Sequence, residues 1–149
     1  MVIISSFEEY KSYLGIQIGQ SKWHKINQQQ TNRFADATDN YTSDNGKAKE
    51  QAPVDSEFVP GYLTLSLIPY LWKQIADIRD VKMEVNYGIE NFKFNQEVRV
   101  DDEVMLRAKL ISISDLRGIT KVVIQADLDI KGSTVTAYTG NVVFLYHFN

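Results

Sequence analysis

The residues that decide the fold are Gly61-Tyr62-Leu63-Thr64-Leu65-Ser66-Leu67-Ile68-Pro69, the beginning of a long apolar helix that opens on a glycine. Apolar side chains recur every four positions and form a stripe along the helix: Leu63, Leu67, Leu71 and Ile75. Three more apolar residues widen this stripe: Leu65, Ile68 and Trp72. A helix that is apolar over so much of its surface is a buried one. Pro69 lacks a backbone N–H, so we expect it to bend the axis.

The second half of the chain alternates with a period of two, which predicts half-buried strands. The inward positions are Val104, Leu106, Ala108 and Leu110 in one strand and Val122, Ile124, Ala126, Leu128 and Ile130 in the next, while Gln125, Asp127 and Asp129 point away. Turn residues separate the strands at 101–102, 115–118 and 131–133, and residues 135–148 form a final strand. A buried helix followed by long antiparallel strands is an α+β layout, with the sheet wrapped around the helix.

The first forty residues contain two shorter helices. Ser6-Phe7-Glu8-Glu9 is a capping box, which predicts a short helix that ends near Leu14-Gly15. A short strand follows at residues 23–26. Asn27 is expected to cap a second helix that runs through Thr38, with Ile26, Phe34 and Ala37 as its apolar contacts.

Residues 39–57 have a different composition, in which Asn, Asp, Ser, Gly, Lys, Glu and Gln dominate. The large apolar side chains in this stretch are Tyr41 and Val54. This composition predicts a loop. Loops longer than ~12–15 residues are usually functional or disordered, so the length is itself informative.

Composition limits the possible classes of function. The 149 residues fit one domain, 1–149, with a net charge of −3 that offers no basic field for a nucleic acid. The absence of cysteine excludes disulfides, thiolate metal sites and cysteine nucleophiles. The apolar run at Met1-Val2-Ile3-Ile4 is too short for a signal peptide, and no stretch reaches the ~20 apolar residues of a membrane helix. We therefore expect a cytoplasmic protein that binds neither nucleic acid nor membrane.

Several stretches together resemble the MaoC-like hydratase/dehydratase family, and most closely its nodulation protein N-like branch. They are Trp23-His24-Lys25-Ile26, Phe34-Ala35-Asp36-Ala37-Thr38, Gly61 to Pro69, and Val81-Lys82-Met83-Glu84-Val85-Asn86-Tyr87-Gly88. The resemblance covers nearly the whole chain. It implies a hot-dog fold, in which an antiparallel sheet wraps around a long central helix. It also implies a homodimer, joined edge to edge, with sites between the subunits.

The family adds water reversibly to 2-enoyl thioesters of coenzyme A or of an acyl carrier. This chemistry needs a base for the water, an acid for the α-carbon and a donor for the thioester oxygen. The family supplies the acid–base pair as an Asp and a His five residues apart. Asp39 matches the aspartate, but Asp44 stands where the histidine would be, and no histidine lies between Asp39 and Gly61. By resemblance, Asp39 and Asp44 are the candidate catalytic pair, as two carboxylates with one neutral and one charged.

The resemblance also implies two substrate-binding residues. Gly61 holds the helix-opening position, where the family uses backbone N–H groups, and Ser66 matches a serine near the catalytic pair. His24 and His147 are read as structural or surface histidines, and their spacing predicts no metal site. No cofactor is expected.

Three hypotheses from different classes stay open. The first is an (R)-specific enoyl-CoA hydratase with the pair Asp39 and Asp44, slow or inactive because the histidine is absent. The second is a non-catalytic relative that binds acyl thioesters or packs against an active paralogue. The third is a purely structural or regulatory dimer. A thioesterase is less favoured, because residues 61–74 contain no carboxylate.

Overall fold

The computed structural model describes residues 1–40 and 57–149, which form an antiparallel sheet packed against a pair of consecutive helices. In chain order the elements are β1 (Val2–Ile4), α1 (Phe7–Lys11), β2 (Gln17–Gln20), β3 (His24–Lys25), α2 (Gln28–Thr38), β4 (Phe58–Val59), α3 (Gly61–Ser66), α4 (Ile68–Ile75), β5 (Ala76–Ile78), β6 (Val81–Phe94), β7 (Val98–Arg99), β8 (Glu103–Leu116), β9 (Ile119–Ile130) and β10 (Tyr138–Phe148). None of the helices in these ranges has the length and apolar character needed to cross a bilayer.

The caps of the first two helices follow the sequence. The hydroxyl of Ser6 accepts from the N–H of Glu9, and the Glu9 carboxylate reaches back to the N–H of Ser5 at 2.6 Å. The side chain of Asn27 accepts from the N–H of Gln30 at 2.9 Å, so α2 begins where it was predicted to begin. The capping residues therefore fix both helix starts.

One predicted apolar contact of α2 is wrong. Ile26 is buried and Phe34 is half-buried, but Ala37 is exposed, and Thr31 is the residue that α2 buries. Ala37 lies six residues after Thr31, or roughly 240° around a helix of 3.6 residues per turn. Ala37 therefore faces away from the side on which Thr31 packs.

The central helix is divided in two, whereas the sequence predicted one bent helix. α3 ends at Ser66, Leu67 makes a turn, and α4 begins at Ile68. Pro69 is in the first turn of α4, a position where its missing N–H costs no hydrogen bond. The predicted stripe is nevertheless confirmed: Leu63, Leu67, Leu71 and Ile75 are all buried.

The main sheet has the order β2-β8-β9-β10-β6, and β3 also pairs with β8. The inward residues predicted for β8 and β9 are buried, and Asp127 and Asp129 lie on the outer face, where Arg107 forms a bidentate pair with Asp129. The inner face packs on α3 and α4 in one continuous core. This wrapping of a long antiparallel sheet around a central helical segment is the hot-dog fold.

Three buried tyrosines lie in the core. The indole N–H of Trp72 donates to the Tyr146 hydroxyl at 3.1 Å, and the Tyr10 and Tyr146 rings are 5.6 Å apart. Tyr138 donates its hydroxyl to the carbonyl of Thr64 at 3.2 Å. Burial raises the pKa of all three phenols above its ordinary value, because the phenolate would lose its hydration in the core.

Candidate functional site

Asp39 ends α2 in the left-handed conformation, with φ 54° and ψ 24°. Its N–H donates to the carbonyl of Asp36, and the N–H of Asn40 donates to the carbonyl of Ala35 at 3.1 Å, which is a Schellman motif. The Asp39 side chain is exposed and has no hydrogen bond or ion pair with the described residues. Asp44, its predicted partner, lies outside the described residues.

The C-terminal end of α2 and the beginning of α3 face a common open cleft of about 640 Å³. Its walls come from α2, β4, the first turn of α3 and the connection from β6 to β7. The described residues that line it are Phe34, Asn40, Phe58, Val59, Pro60, Gly61, Tyr62, Thr64, Phe94, Asn95, Gln96, Glu97 and Val98. The structure thus brings Gly61 into the same cleft as Asn40, the neighbour of Asp39.

Gly61 is the first residue of α3 and lies beneath an aromatic ring. A Cβ on this residue would be 3.0 Å from two ring atoms of Phe94, so glycine allows the ring to lie directly on the backbone. The N–H groups of Gly61 and Tyr62 have no hydrogen-bond acceptor among the described residues, as expected for the first donors of a helix. Two backbone donors are therefore available to a ligand oxygen in the cleft.

Ser66 lies on a different cleft. This second cleft, of about 460 Å³, is lined by Leu65, Ser66, Ile68, Pro69, Asn86, Tyr87, Gly88, Ile89, Val142, Val143 and Phe144. The Ser66 hydroxyl donates to the carbonyl of Tyr62 at 2.6 Å, one turn back along α3. The structure therefore separates the two residues predicted to bind substrate, and a role for Ser66 stays a prediction.

An aromatic cluster, which the sequence did not identify, forms the wall of the first cleft beside Gly61. Phe94 contacts the rings of Tyr62, Phe92 and Tyr138, with centroid distances of 6.2, 4.8 and 6.2 Å. Phe92 and Phe94 belong to β6, which extends six residues beyond the stretch recognised in the sequence. The alternation of Phe92 and Phe94 with the charged Lys93 was the sequence signal that could have predicted this extension of the strand.

Neither histidine lines the first cleft. His24 is hydrogen-bonded to Gln30 at 2.8 Å and its ring contacts Tyr70. Gln30 is in the first turn of α2, whereas Asp39 comes directly after the last turn. At a rise of 1.5 Å per residue, the two are about 13 Å apart along the helix axis. His147 lies beside Gly118, at the turn between β8 and β9. A histidine from elsewhere in the described chain therefore does not complete a pair with Asp39.

Within residues 1–40 and 57–149, no three His, Asp or Glu side chains lie close enough together to hold a metal ion. The residues that line the first cleft include one carboxylate, Glu97, and no Lys, Arg or His within the described chain. The cleft is thus mainly apolar, with backbone N–H groups, side-chain amides and one carboxylate as its polar groups.

The chain matches no protein-family model. It is 28% identical to 3-hydroxyacyl-thioester dehydratase Z of Mycobacterium tuberculosis, over 98% of this chain and 99% of that protein. It is 29% identical to nodulation protein N of Rhizobium meliloti, over 97% of this chain and 92% of that protein. Among solved structures, a MaoC-like dehydratase from Rhodospirillum rubrum superposes with a TM-score of 0.68 at 13% identity, over 91% of this chain and 93% of that one. The similarity extends over nearly the full length in each case.

Proposed function

We propose that this chain acts as a hydratase/dehydratase of the MaoC-like family, to whose members it is similar over nearly its full length, and that it interconverts a 2-enoyl thioester and a 3-hydroxyacyl thioester in the cleft at Gly61. One observation carries the proposal. The backbone N–H groups of Gly61 and Tyr62, which have no acceptor among the described residues, and the C-terminal end of α2 belong to the same mainly apolar cleft. The acyl group could belong to coenzyme A or to an acyl carrier.

The N–H groups of Gly61 and Tyr62 are the proposed donors to the thioester oxygen. During hydration, negative charge develops on this oxygen as water adds at the β-carbon, so fixed donors stabilise the transition state. The aromatic wall of Tyr62 and Phe94 would pack against the acyl or pantetheine chain, and the apolar lining would exclude water.

Asp39 is the proposed base that takes a proton from the attacking water. Its exposed carboxylate follows α2 directly and precedes Asn40, which lines the cleft. Asp44 remains the partner proposed from the resemblance. Because the sequence has no histidine between Asp39 and Gly61, we propose slow turnover relative to family members with the Asp–His pair.

We expect purified protein to hydrate crotonyl-CoA, and Asp39→Asn to lower kcat by roughly 10²–10⁴-fold, the usual contribution of a general base. The measurement is loss of enoyl absorbance. Asp115→Asn is the matched control, because an asparagine there can still accept from the N–H of Gly118 and the site is at the turn between β8 and β9. Turnover unchanged by Asp39→Asn would contradict the role of Asp39.

The missing histidine favours one alternative, a non-catalytic subunit that binds acyl thioesters or pairs with an active paralogue. If wild-type protein shows no hydration, butyryl-CoA binding distinguishes this alternative from a purely structural dimer. A ligand at 100 times its Kd stabilises the folded state by about 2.7 kcal/mol, which raises Tm. An unchanged Tm would leave the structural dimer.

We also propose a homodimer that forms along β6. In the described part of the chain, this strand of 14 residues pairs only with β10, and none of its residues is buried. It exposes Met83, Tyr87 and Ile89. A long apolar edge strand invites pairing with another chain, and a second copy of β6 would cover it. For the compartment, we propose the cytoplasm, consistent with the absence of cysteine.

Ile89→Lys should convert the dimer to a monomer, because the charge would be buried against the second copy. Ile16→Lys is the matched control, since Ile16 is exposed to 53% and Ile89 to 49% but only Ile89 belongs to β6. Light scattering on a sizing column measures the mass of each variant. A monomeric wild-type protein would rule out this interface.

A further inference from the structure

We propose that Glu97 is a second catalytic carboxylate of this cleft, and that it exchanges a proton with the α-carbon of the bound acyl thioester. The proposal rests on the proposed function and deepens it. It assigns to a residue between β6 and β7 the role that the resemblance gave to Asp44.

The strand register places Glu97 beside the start of α3. β4 and β7 pair antiparallel, with Phe58 opposite Arg99 and Val59 opposite Val98. Continued by one residue beyond the paired strands, the same register would set Glu97 opposite Pro60, the residue directly before Gly61. Val98 is 3% exposed and anchors this end of the connection in the core. The register thus agrees with the position of Glu97 on the cleft wall.

The backbone that carries Glu97 is held on its other side as well. The N–H groups of Asn95 and Gln96 both donate to the carbonyl of Ala137, at 2.8 and 3.2 Å. The Gln96 side chain accepts from the Ser133 hydroxyl at 2.9 Å. A carboxylate on a connection fixed at both ends keeps its position relative to Gly61, which general acid–base catalysis requires.

The Glu97 carboxylate has no structural partner among the described residues, unlike several other carboxylates of the chain. Glu57 pairs with Arg99 at 3.2 Å, Glu103 with Lys131 at 3.4 Å, and Asp129 with Arg107 at 2.7 Å. Glu97 has neither an ion pair nor a hydrogen bond there, and it is the one carboxylate on the described lining of the cleft. Its oxygens are therefore free to contact a substrate.

In the direction of dehydration, the Glu97 carboxylate takes the proton from the α-carbon. The C–H electron pair moves into the enolate, whose oxygen accepts from the N–H groups of Gly61 and Tyr62. The enolate electrons then form the double bond as the bond from the β-carbon to oxygen breaks. Asp39, protonated, gives its proton to the departing hydroxide, which leaves as water. Hydration reverses each transfer, and the pair holds one proton throughout.

Exchange of the α-hydrogens of butyryl-CoA in heavy water isolates the Glu97 step, because this thioester has no hydroxyl to lose. We expect wild-type protein to incorporate deuterium and Glu97→Gln to lower the incorporation by roughly 10²–10⁴-fold. Glu97→Asp should restore part of it. Glu8→Gln is the control, since it removes one exposed negative charge on α1, away from the cleft lining.

The outcomes separate this proposal from the proposed function. Exchange by Glu97→Gln at the wild-type rate, with crotonyl-CoA still hydrated, would overturn the role of Glu97 alone. Exchange that depends on Glu97, without hydration in wild-type protein, would support Glu97 and overturn the hydratase. Absence of both reactions in folded wild-type protein would overturn both.

Discussion

Raising the pH above about 10 is expected to unfold this protein cooperatively, because three phenols that are neutral in the core become ionised in the unfolded chain. Burial raises the pKa of Tyr10, Tyr138 and Tyr146 above 10.0 in the folded state. The unfolded chain therefore releases these protons first as the pH rises. The contribution to stability is complete below about pH 10 and declines as the pH rises toward the folded pKa values.

The expected size of this effect is large. Each buried phenol that stays protonated lowers the free energy of unfolding by about 1.4 kcal/mol per pH unit above 10, so three lower it by about 4 kcal/mol per unit. The loss over the first pH unit alone is a large part of the ~5–15 kcal/mol that stabilises a typical domain. Circular dichroism followed against pH should show one cooperative loss of structure.

Tyr138→Phe tests the assignment, because it removes one of the three phenols while keeping the ring. The slope of unfolding free energy against pH above 10 should fall by about a third. At pH 7 the variant loses the hydrogen bond to Thr64, which is worth about 1 kcal/mol. A slope equal to that of the wild type would show that Tyr138 does not contribute to alkaline unfolding.

Gly140→Ala is expected to destabilise the protein by about 1–3 kcal/mol, through overpacking within the sheet. A Cβ on Gly140 would overlap Cδ2 of Phe92 and would lie 3.0 Å from Cα of Phe92. The second contact is with backbone, so a rotation of the ring cannot relieve it. Urea denaturation measures the loss. The same displacement of Phe92 should disturb Phe94 over Gly61, since the two rings are 4.8 Å apart.

Two other glycines provide controls for this effect. In Gly88→Ala on β6, the new Cβ has no atom of the described residues within 4 Å, so we expect a change of less than about 0.5 kcal/mol in the free energy of unfolding. In Gly61→Ala, the three described atoms nearest to the new Cβ belong to the ring of the partly exposed Phe94, which can swing toward solvent. We expect its cost to lie between the other two. Equal losses at Gly140 and Gly88 would contradict the overpacking explanation.

The sequence predicted the elements whose signal is local. The stripe from Leu63 to Ile75, the alternation in β8 and β9 and the caps at Ser6 and Asn27 each reflect a periodicity or a single hydrogen bond. It did not predict β1, β2, β4, β5 or β7. Each of these spans four residues or fewer and exists through pairing with a distant segment, as Val2–Ile4 does with Ala76–Ile78.

The candidate site shows the same division. Gly61 was proposed from the family resemblance, which rests there on a local pattern, a glycine at the start of an apolar helix. Glu97 was not, because only the register between β4 and β7 brings it near Gly61. Ser66 matched a family position, yet the turn of α3 directs it to the second cleft. Sequence patterns report local structure, whereas contacts between residues that are distant in the sequence become visible only in the fold.

The division of the central helix at Leu67 gives its two halves different resistance to local opening. α4 buries Ile68, Leu71, Trp72 and Ile75, so its amide hydrogens are protected by the same core contacts that hold the whole sheet. α3 is a single segment of six residues that begins at the cleft, and it buries only Leu63 and Thr64. Because Pro69 has no N–H, no hydrogen bond from that residue ties the two helices together. We therefore expect the amide hydrogens of α3 to exchange with solvent faster than those of α4, because fewer core contacts protect them.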